Sequence, residues 1–184
     1  VVLTVDLSNP DIFESGKIVL PRETLHVRRS KFLWDGACYE RFSVHNFDAH
    51  SRRCWLTFNF EADFRDLFEI RGLQRLRRGQ SSAAVTDEKL LFQYHGLDGI
   101  VRQTAIWFEP KPERLTESQA LYALDLKPGE QFSIVLSIRC AAADRPPDPF
   151  SQPYRAARRA AQIASKLGGA VTSSNALANR MLHR

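Results

Sequence analysis

Cysteine is scarce in this sequence: Cys38, Cys54 and Cys140 are the only three in 184 residues, far apart and odd in number, with no CxxC pair. That count and spacing argue against both a disulfide framework and a zinc site. Each thiol falls inside a strand-like run, so reduced, packed cysteines are expected. No apolar run approaches the roughly 20 residues of a membrane-crossing helix and no signal peptide opens the chain, so no membrane partner is expected and the cytoplasm is the expected location. Internal repeats and low-complexity tracts are absent. So are GxGxxG, Walker A and GxSxG motifs, and the five histidines form no HxxxH or HExxH pair. These absences leave no cofactor, no metal ion and no catalytic residue to be expected from motif chemistry.

What is present is a core. Hydrophobic residues make up 43% of the chain, including 12 Phe and 3 Trp, and a chain of this length buries roughly 70% of its unfolded surface without staples. The formal charge of +5 is mostly arginine, interspersed with acids, which permits an anionic partner without demanding one. Strict alternation dominates the first three quarters. In QFSIVLSIRC (131–140), Phe132, Ile134, Leu136, Ile138 and Cys140 share one face, the period-2 mark of a strand with one buried side. From Cys54, the residues Leu56, Phe58, Phe60, Ala62 and Phe64 do the same, and the pattern breaks after Asp66 as a bulge or turn would break it. Further strands are expected over 24–32, 38–46, 89–95, 101–109 and 119–126, with a strand-like run at VVLTVDL. Lys127-Pro128-Gly129-Glu130 fits a type II turn, Gly96-Leu97-Asp98-Gly99 a hairpin loop, and Asn46-Phe47-Asp48-Ala49 another connection. Many strands without intervening helices predict an all-β fold, an antiparallel β-sandwich with a C-terminal helical appendage.

The style changes at Asp144. Residues 1–143 are expected to form the sandwich domain and the Pro-rich stretch 144–153 a linker. Residues 154–184 read as helices, with Tyr154, Ala157, Ala161, Ala164 and Leu167 in one stripe, a Gly168-Gly169 stop, and a last helix N-capped around Thr172–Ser174 with Leu177 and Met181 four apart. A start at Val1 inside a strand-like run and an end at Arg184 inside a helical one lead to the expectation of a piece of a longer protein.

Residues 62–72, ADFRDLFEIRG, set acids among phenylalanines. Glu61 and Asp63 share a strand face about 6–7 Å apart, a spacing that glycoside hydrolysis permits. Yet they alternate with polar residues opposite the apolar face, and an ordinary solvated strand face accounts for them. Asp66 and Glu69 flank the break in pattern, where a turn bond or a salt bridge to Arg65 or Arg71 is the simpler role. The basic stretch GLQRLRRGQ (72–80), with Arg75, Arg77 and Arg78, lacks interleaved aromatics for base stacking. It reads as a solvated loop or an interdomain contact, and no nucleic acid is expected. Trp55 and Trp107 fall on the faces opposite the apolar ones. They are either covered by a second layer or form, with Trp34 and Tyr39, a surface on which a sugar stacks; these four are the substrate-binding candidates.

ADFRDLFEIRG also resembles a signature of the N-terminal domain of bacterial and archaeal glycogen-debranching-type enzymes, the amylo-alpha-1,6-glucosidase-like proteins. LTVDLSNPD (3–11), LPRETLHVRRSKFLWDG (20–36), YERFSVHNF (39–47) and GLDGIVRQT (96–104) resemble blocks of that domain in the same order, and SSNALANRMLHR (173–184) resembles the first helix of the toroid that follows it. The resemblance implies a β-domain of the supersandwich kind preceding a catalytic α/α toroid, which would be its partner. The family's first strands have no counterpart block here. The family's catalytic carboxylates lie in the toroid, so none carries over to this chain. The implied role is a non-catalytic β-domain of a carbohydrate-metabolism glycoside hydrolase that braces the toroid and touches glycogen or another α-glucan; the alternative is an autonomous carbohydrate-binding module.

Overall fold

The computed structural model describes residues 2–86, 89–140, 145–167, 173–175, 179 and 181. In chain order the elements are β1 (Leu3–Ser8), β2 (Ile12–Glu14), β3 (Lys17–Leu20), β4 (Leu25–Trp34), β5 (Ala37–Asn46), β6 (Arg52–Asn59), α1 (Leu67–Ile70), β7 (Gln80–Val85), β8 (Lys89–His95), β9 (Val101–Glu109), β10 (Arg114–Leu115), β11 (Gln119–Leu126), β12 (Gln131–Cys140) and α2 (Ser151–Leu167). The strands form a seven-stranded sheet in the order β1-β4-β5-β12-β9-β8-β7, a three-stranded sheet in the order β10-β11-β6, and the hairpin β2-β3. Every ladder is antiparallel.

The two-residue period decides which side of each strand is dry. The inner face of the large sheet presents Val44, Leu90, Phe92, Ile106, Phe108, Ile134 and Leu136. The small sheet answers with Ala120, Tyr122, Leu124 and Leu126 from β11 and with Cys54, Leu56 and Phe58 from β6. Rings interlock across the gap: Phe42 meets Phe58 edge-on at 4.8 Å, and Phe60 meets Phe108 at 5.6 Å. The fold is thus an antiparallel β-sandwich, as the alternation predicts.

Two tight connections carry the chain between sheets. β5 leaves the large sheet for β6, and β11 leaves the small sheet for β12. The second is the expected type II turn, with Gly129 at φ 73° and the Glu130 amide donating to the Lys127 carbonyl at 3.0 Å. Asn46, 0% exposed, ties the two corners together. Its amide nitrogen donates to the carbonyls of His50 and Leu126, each at 2.9 Å, and of Lys127 at 3.2 Å, while its amide oxygen accepts from the Asp48 N–H at 2.9 Å.

The expected strand from Cys54 to Phe64 pairs only as far as Asn59, because its partner begins at Gln119 and has no residue left to offer beyond the bond from Phe60 N–H to the Ser118 carbonyl. The chain continues over the core, with Phe60, Ala62 and Phe64 packed against it and Phe64, at φ 47°, stacked on Tyr94 at 5.4 Å. β2, β3, β7, β10 and the short α1 lie outside the sequence expectation. The hairpin β2-β3 turns at Ser15 and Gly16, both at positive φ (49° and 77°). β7 forms one margin of the large sheet, and β1 forms the other. On β1, Leu3, Val5 and Leu7 share the inner face with Val27 but remain exposed.

A third layer covers part of the outer face of the large sheet. Phe150 and Ala157 are buried there against Phe32, Ala37 and Tyr39. α2 begins at Ser151, inside the stretch expected as linker. Pro153 fits there because a first-turn residue needs no backbone donor. Of the expected stripe, Tyr154, Ala157 and Ala161 are turned inward, whereas Ala164 is exposed, as is neighbouring Ile163. The expected terminal helix falls largely outside the described residues.

Candidate functional site

The acids of ADFRDLFEIRG fold their own loop. Asp66 is the N-cap of α1, accepting from the Phe68 and Glu69 amides, both at 2.9 Å, while the Glu69 carboxylate accepts from the Asp66 amide at 3.1 Å. This reciprocal capping box satisfies donors that a helix start leaves open. Arg75 pairs with Asp66, Arg78 with Glu69 at 3.0 Å, and Arg65 with Asp63 at 3.5 Å. Arg78 also donates to the Asp63 carbonyl at 2.6 Å. The Glu69 amide, and then the Arg75 guanidinium, hold the Asp66 carboxyl below the usual carboxylate range. A general acid needs the opposite shift.

Beside this loop lies a cavity of about 290 Å³ lined by Phe64, Tyr94, Asp66, Glu69, Asp98 and Arg102 among others. Its carboxylates are already engaged. Arg102, at 2.7 Å, and the Ile100 amide push Asp98 down to about 2. The same loop turns Leu67, Phe68, Ile70, Leu73 and Leu76 out to solvent.

The four aromatic candidates are not brought together. Trp55, 66% exposed, stands on the outer face of the small sheet. Trp107 stands on the outer face of the large sheet, so the full thickness of the sandwich separates the two indoles. Lys89 lies over the Trp107 ring at 5.4 Å. Tyr39 is 1% exposed, stacked on Phe32 at 5.2 Å beneath the α2 layer, and offers no face to a ligand. Burial pushes its phenol pKa up, with Arg139 opposing. Trp34 is half-buried at the edge of the same cluster.

Around Trp107 the structure adds residues the sequence did not single out. A cavity of about 200 Å³ lies between the outer sheet face and the Pro-rich segment, lined by Trp107, Glu109, Ser137 and Asp148 among others. A second, of about 490 Å³, abuts it and adds Arg41, Ser133 and Ser151. The one signal available in sequence was parity, since Glu109 shares a strand face with Trp107; the neighbours from β5 and β12 come from register alone.

The three cysteines are free thiols in β5, β6 and β12. Among the described residues, no group of three or more His, Cys, Asp or Glu side chains is placed to hold a metal ion, and no helix is long and apolar enough to cross a membrane.

Among solved structures, a human-microbiome protein provisionally assigned as a kojibiose phosphorylase matches over 91% of this chain and 21% of its own, at 10% identity and a TM-score of 0.53. This chain therefore spans about a fifth of that protein's length, and the likeness is one of fold. A polysaccharide lyase matches over 71% of this chain and 22% of its own, at 12% identity and a TM-score of 0.41. A galactose mutarotase related enzyme from Lactobacillus acidophilus matches over 77% of this chain and 68% of its own, at 13% identity and a TM-score of 0.38. No curated protein matches by sequence. The sequence profile of one family, described as the N-terminal domain of (some) glycogen debranching enzymes, matches residues 1–137. With the sandwich, its corner turns and the capped ADFRDLFEIRG loop in place, this chain belongs to the family of glycogen debranching enzyme N-terminal domains.

Proposed function

We propose that this chain is the non-catalytic β-domain of an amylo-alpha-1,6-glucosidase-like glycoside hydrolase, working in the cytoplasm in carbohydrate metabolism and bracing a catalytic α/α toroid of the same protein. The observation that carries the reading is the outward set of Leu67, Phe68, Ile70, Leu73 and Leu76 on a loop whose acids are consumed internally. Five large apolar side chains turned to solvent within one loop mark an interaction site. Its polar surroundings include Arg71 and Arg77, which would meet an acidic rim. The capping box and ion pairs make the loop a preformed support.

Two measurements test this. Purified chain incubated with glycogen or pullulan releases no glucose; sustained release from a clean preparation refutes the non-catalytic role. In the two-domain protein, Phe68→Ser with Leu76→Ser lowers the melting temperature of the toroid while leaving that of the isolated chain within about a degree. Equal melting of the toroid with and without the substitutions refutes the bracing role. The exposure of Trp55 favours a second reading, the autonomous carbohydrate-binding module. Affinity electrophoresis in glycogen distinguishes it, since unretarded migration of the chain leaves that reading without support.

A further inference from the structure

The outer face of the large sheet carries polar side chains beside the Trp107 indole. Val135 on β12 pairs with Arg41 on β5 and with Glu109 on β9. Strands are spaced about 4.8 Å, which sets Arg41 and Glu109 about 10 Å apart on one face. One step along the same ladder, Ser137 lies directly opposite Trp107. Among the described residues, neither the Glu109 carboxylate nor the Ser137 hydroxyl has a hydrogen-bond or ion-pair partner. The Arg41 guanidinium lies over the rings of Phe150 at 4.8 Å and Tyr154 at 6.0 Å. Glu109 is exposed, and it lines the adjoining cavities together with Ser137 and Arg41, so a carboxylate, a hydroxyl and a guanidinium stand within reach of one occupant beside an indole.

The two abutting cavities described above share Glu109, Val135 and Pro149, forming one groove roofed by Pro146–Pro149. Their volumes, about 200 and 490 Å³, fall around the usual range of small-ligand sites. The occupant needs an apolar face for Trp107, together with edge groups that both donate to Glu109 and accept from Arg41. A pyranose ring has both: C–H groups on its face and hydroxyls around its rim. A phosphate lacks the apolar face and would be repelled by Glu109 and Asp148. An apolar ligand would leave both charges unpaired.

We propose that this groove binds one or two pyranose units of a saccharide chain, with Trp107 as the stacking platform and Glu109, Arg41 and Ser137 bonding to hydroxyls. The choice of a saccharide rests in part on the functional reading above, but the residues differ from those of the bracing loop.

The test is calorimetric titration of the full chain with maltohexaose, isomaltotriose and cellohexaose, backed by saturation-transfer NMR. The expected result is binding of at least one of them. It weakens at least tenfold in Trp107→Ala and in Glu109→Gln, and is unchanged in Trp55→Ala. Glu109→Gln is a near-isosteric change at an exposed position, so it keeps the test valid where Trp107→Ala fails to fold. No binding of any of the three saccharides overturns the site, as does binding that survives Glu109→Gln at full strength or depends on Trp55. Those failures leave the bracing role untouched. Glucose release by the chain would remove the non-catalytic reading and leave the groove standing.

Discussion

Replacing Asn46 tests how the two sheets are held in register. Its side chain makes four hydrogen bonds at a position with 0% exposure, three of them donated to carbonyls of the two corner connections. In Asn46→Ala the backbone bonds of the corner persist, namely Asn46 N–H to the Glu130 carbonyl and Gly129 N–H to the Asn46 carbonyl, at 3.0 and 2.9 Å. The loss is therefore that of the amide alone. Each of the four bonds contributes about 1 kcal/mol net. Allowing for overlap between the shared bonds, a destabilisation of about 3–4 kcal/mol is expected. For a chain of this size that lowers Tm by about 6–16 °C. Urea and thermal unfolding followed by circular dichroism measure it. Asn46→Asp keeps the shape but turns a donor into an acceptor facing three carbonyls, and should cost at least as much at neutral pH. A loss under about 1 kcal/mol in Asn46→Ala, or an Asn46→Asp protein as stable as the parent, would refute the reasoning.

Gly79→Ala should destabilise by about 1–3 kcal/mol, read as a lower urea midpoint, because a Cβ there would collide with the His95 carbonyl oxygen and lie 2.9 Å from the Tyr94 ring. Asp66→Ala removes the cap and its ion pair with Arg75. Hydrogen exchange at residues 68–73 should speed up by about five- to thirtyfold, for a loss of about 1–2 kcal/mol, with little change in global Tm. Acid sensitivity follows from two carboxylates. The Arg52 and His50 side chains push Asp48 down to about 2, and Arg102 does the same to Asp98, from an ordinary value of 3.8. Groups with depressed folded pKa values give their stabilisation in full above the unfolded value and lose it as pH falls through the folded one. Stability from these pairs should thus hold from pH 7 to about 4 and decline between about 4 and 2 in a denaturant series; a decline already complete by pH 5 would exclude them as the cause.

The long strands were legible because each buries one face, and period 2 survives in the letters of QFSIVLSIRC as plainly as in the coordinates. Sheet membership was not. The turn at Lys127–Glu130 has the chemistry of a hairpin, yet it moves the chain from one sheet to the other; what decides this is the partner on each side, which sequence spacing does not encode. β7 escaped notice because a marginal strand needs little apolar surface, and of Gln80–Val85 only Ala83 is partly buried. α1, four residues long, is too short for a helical period, although Asp66 and Glu69 spell the D-x-x-E of a capping box. Parity placed Trp55 and Trp107 on outer faces. It could not show that Tyr39, equally outward, lies under a helix over a hundred residues away. Nor could it show that Arg41 and Ser137 become neighbours of Trp107, which is a matter of strand order.

One margin of the large sheet has a practical consequence. Along β1, the backbone side turned away from β4 has no strand partner among the described residues, while Leu3, Val5 and Leu7 offer a greasy row beside it. Such a border is a template for any incoming extended segment. At high protein concentration another molecule of the same chain is the nearest supplier, so aggregation and lost solubility should begin there, and a lysine placed at Val5 would be the first change to make when preparing the chain in quantity.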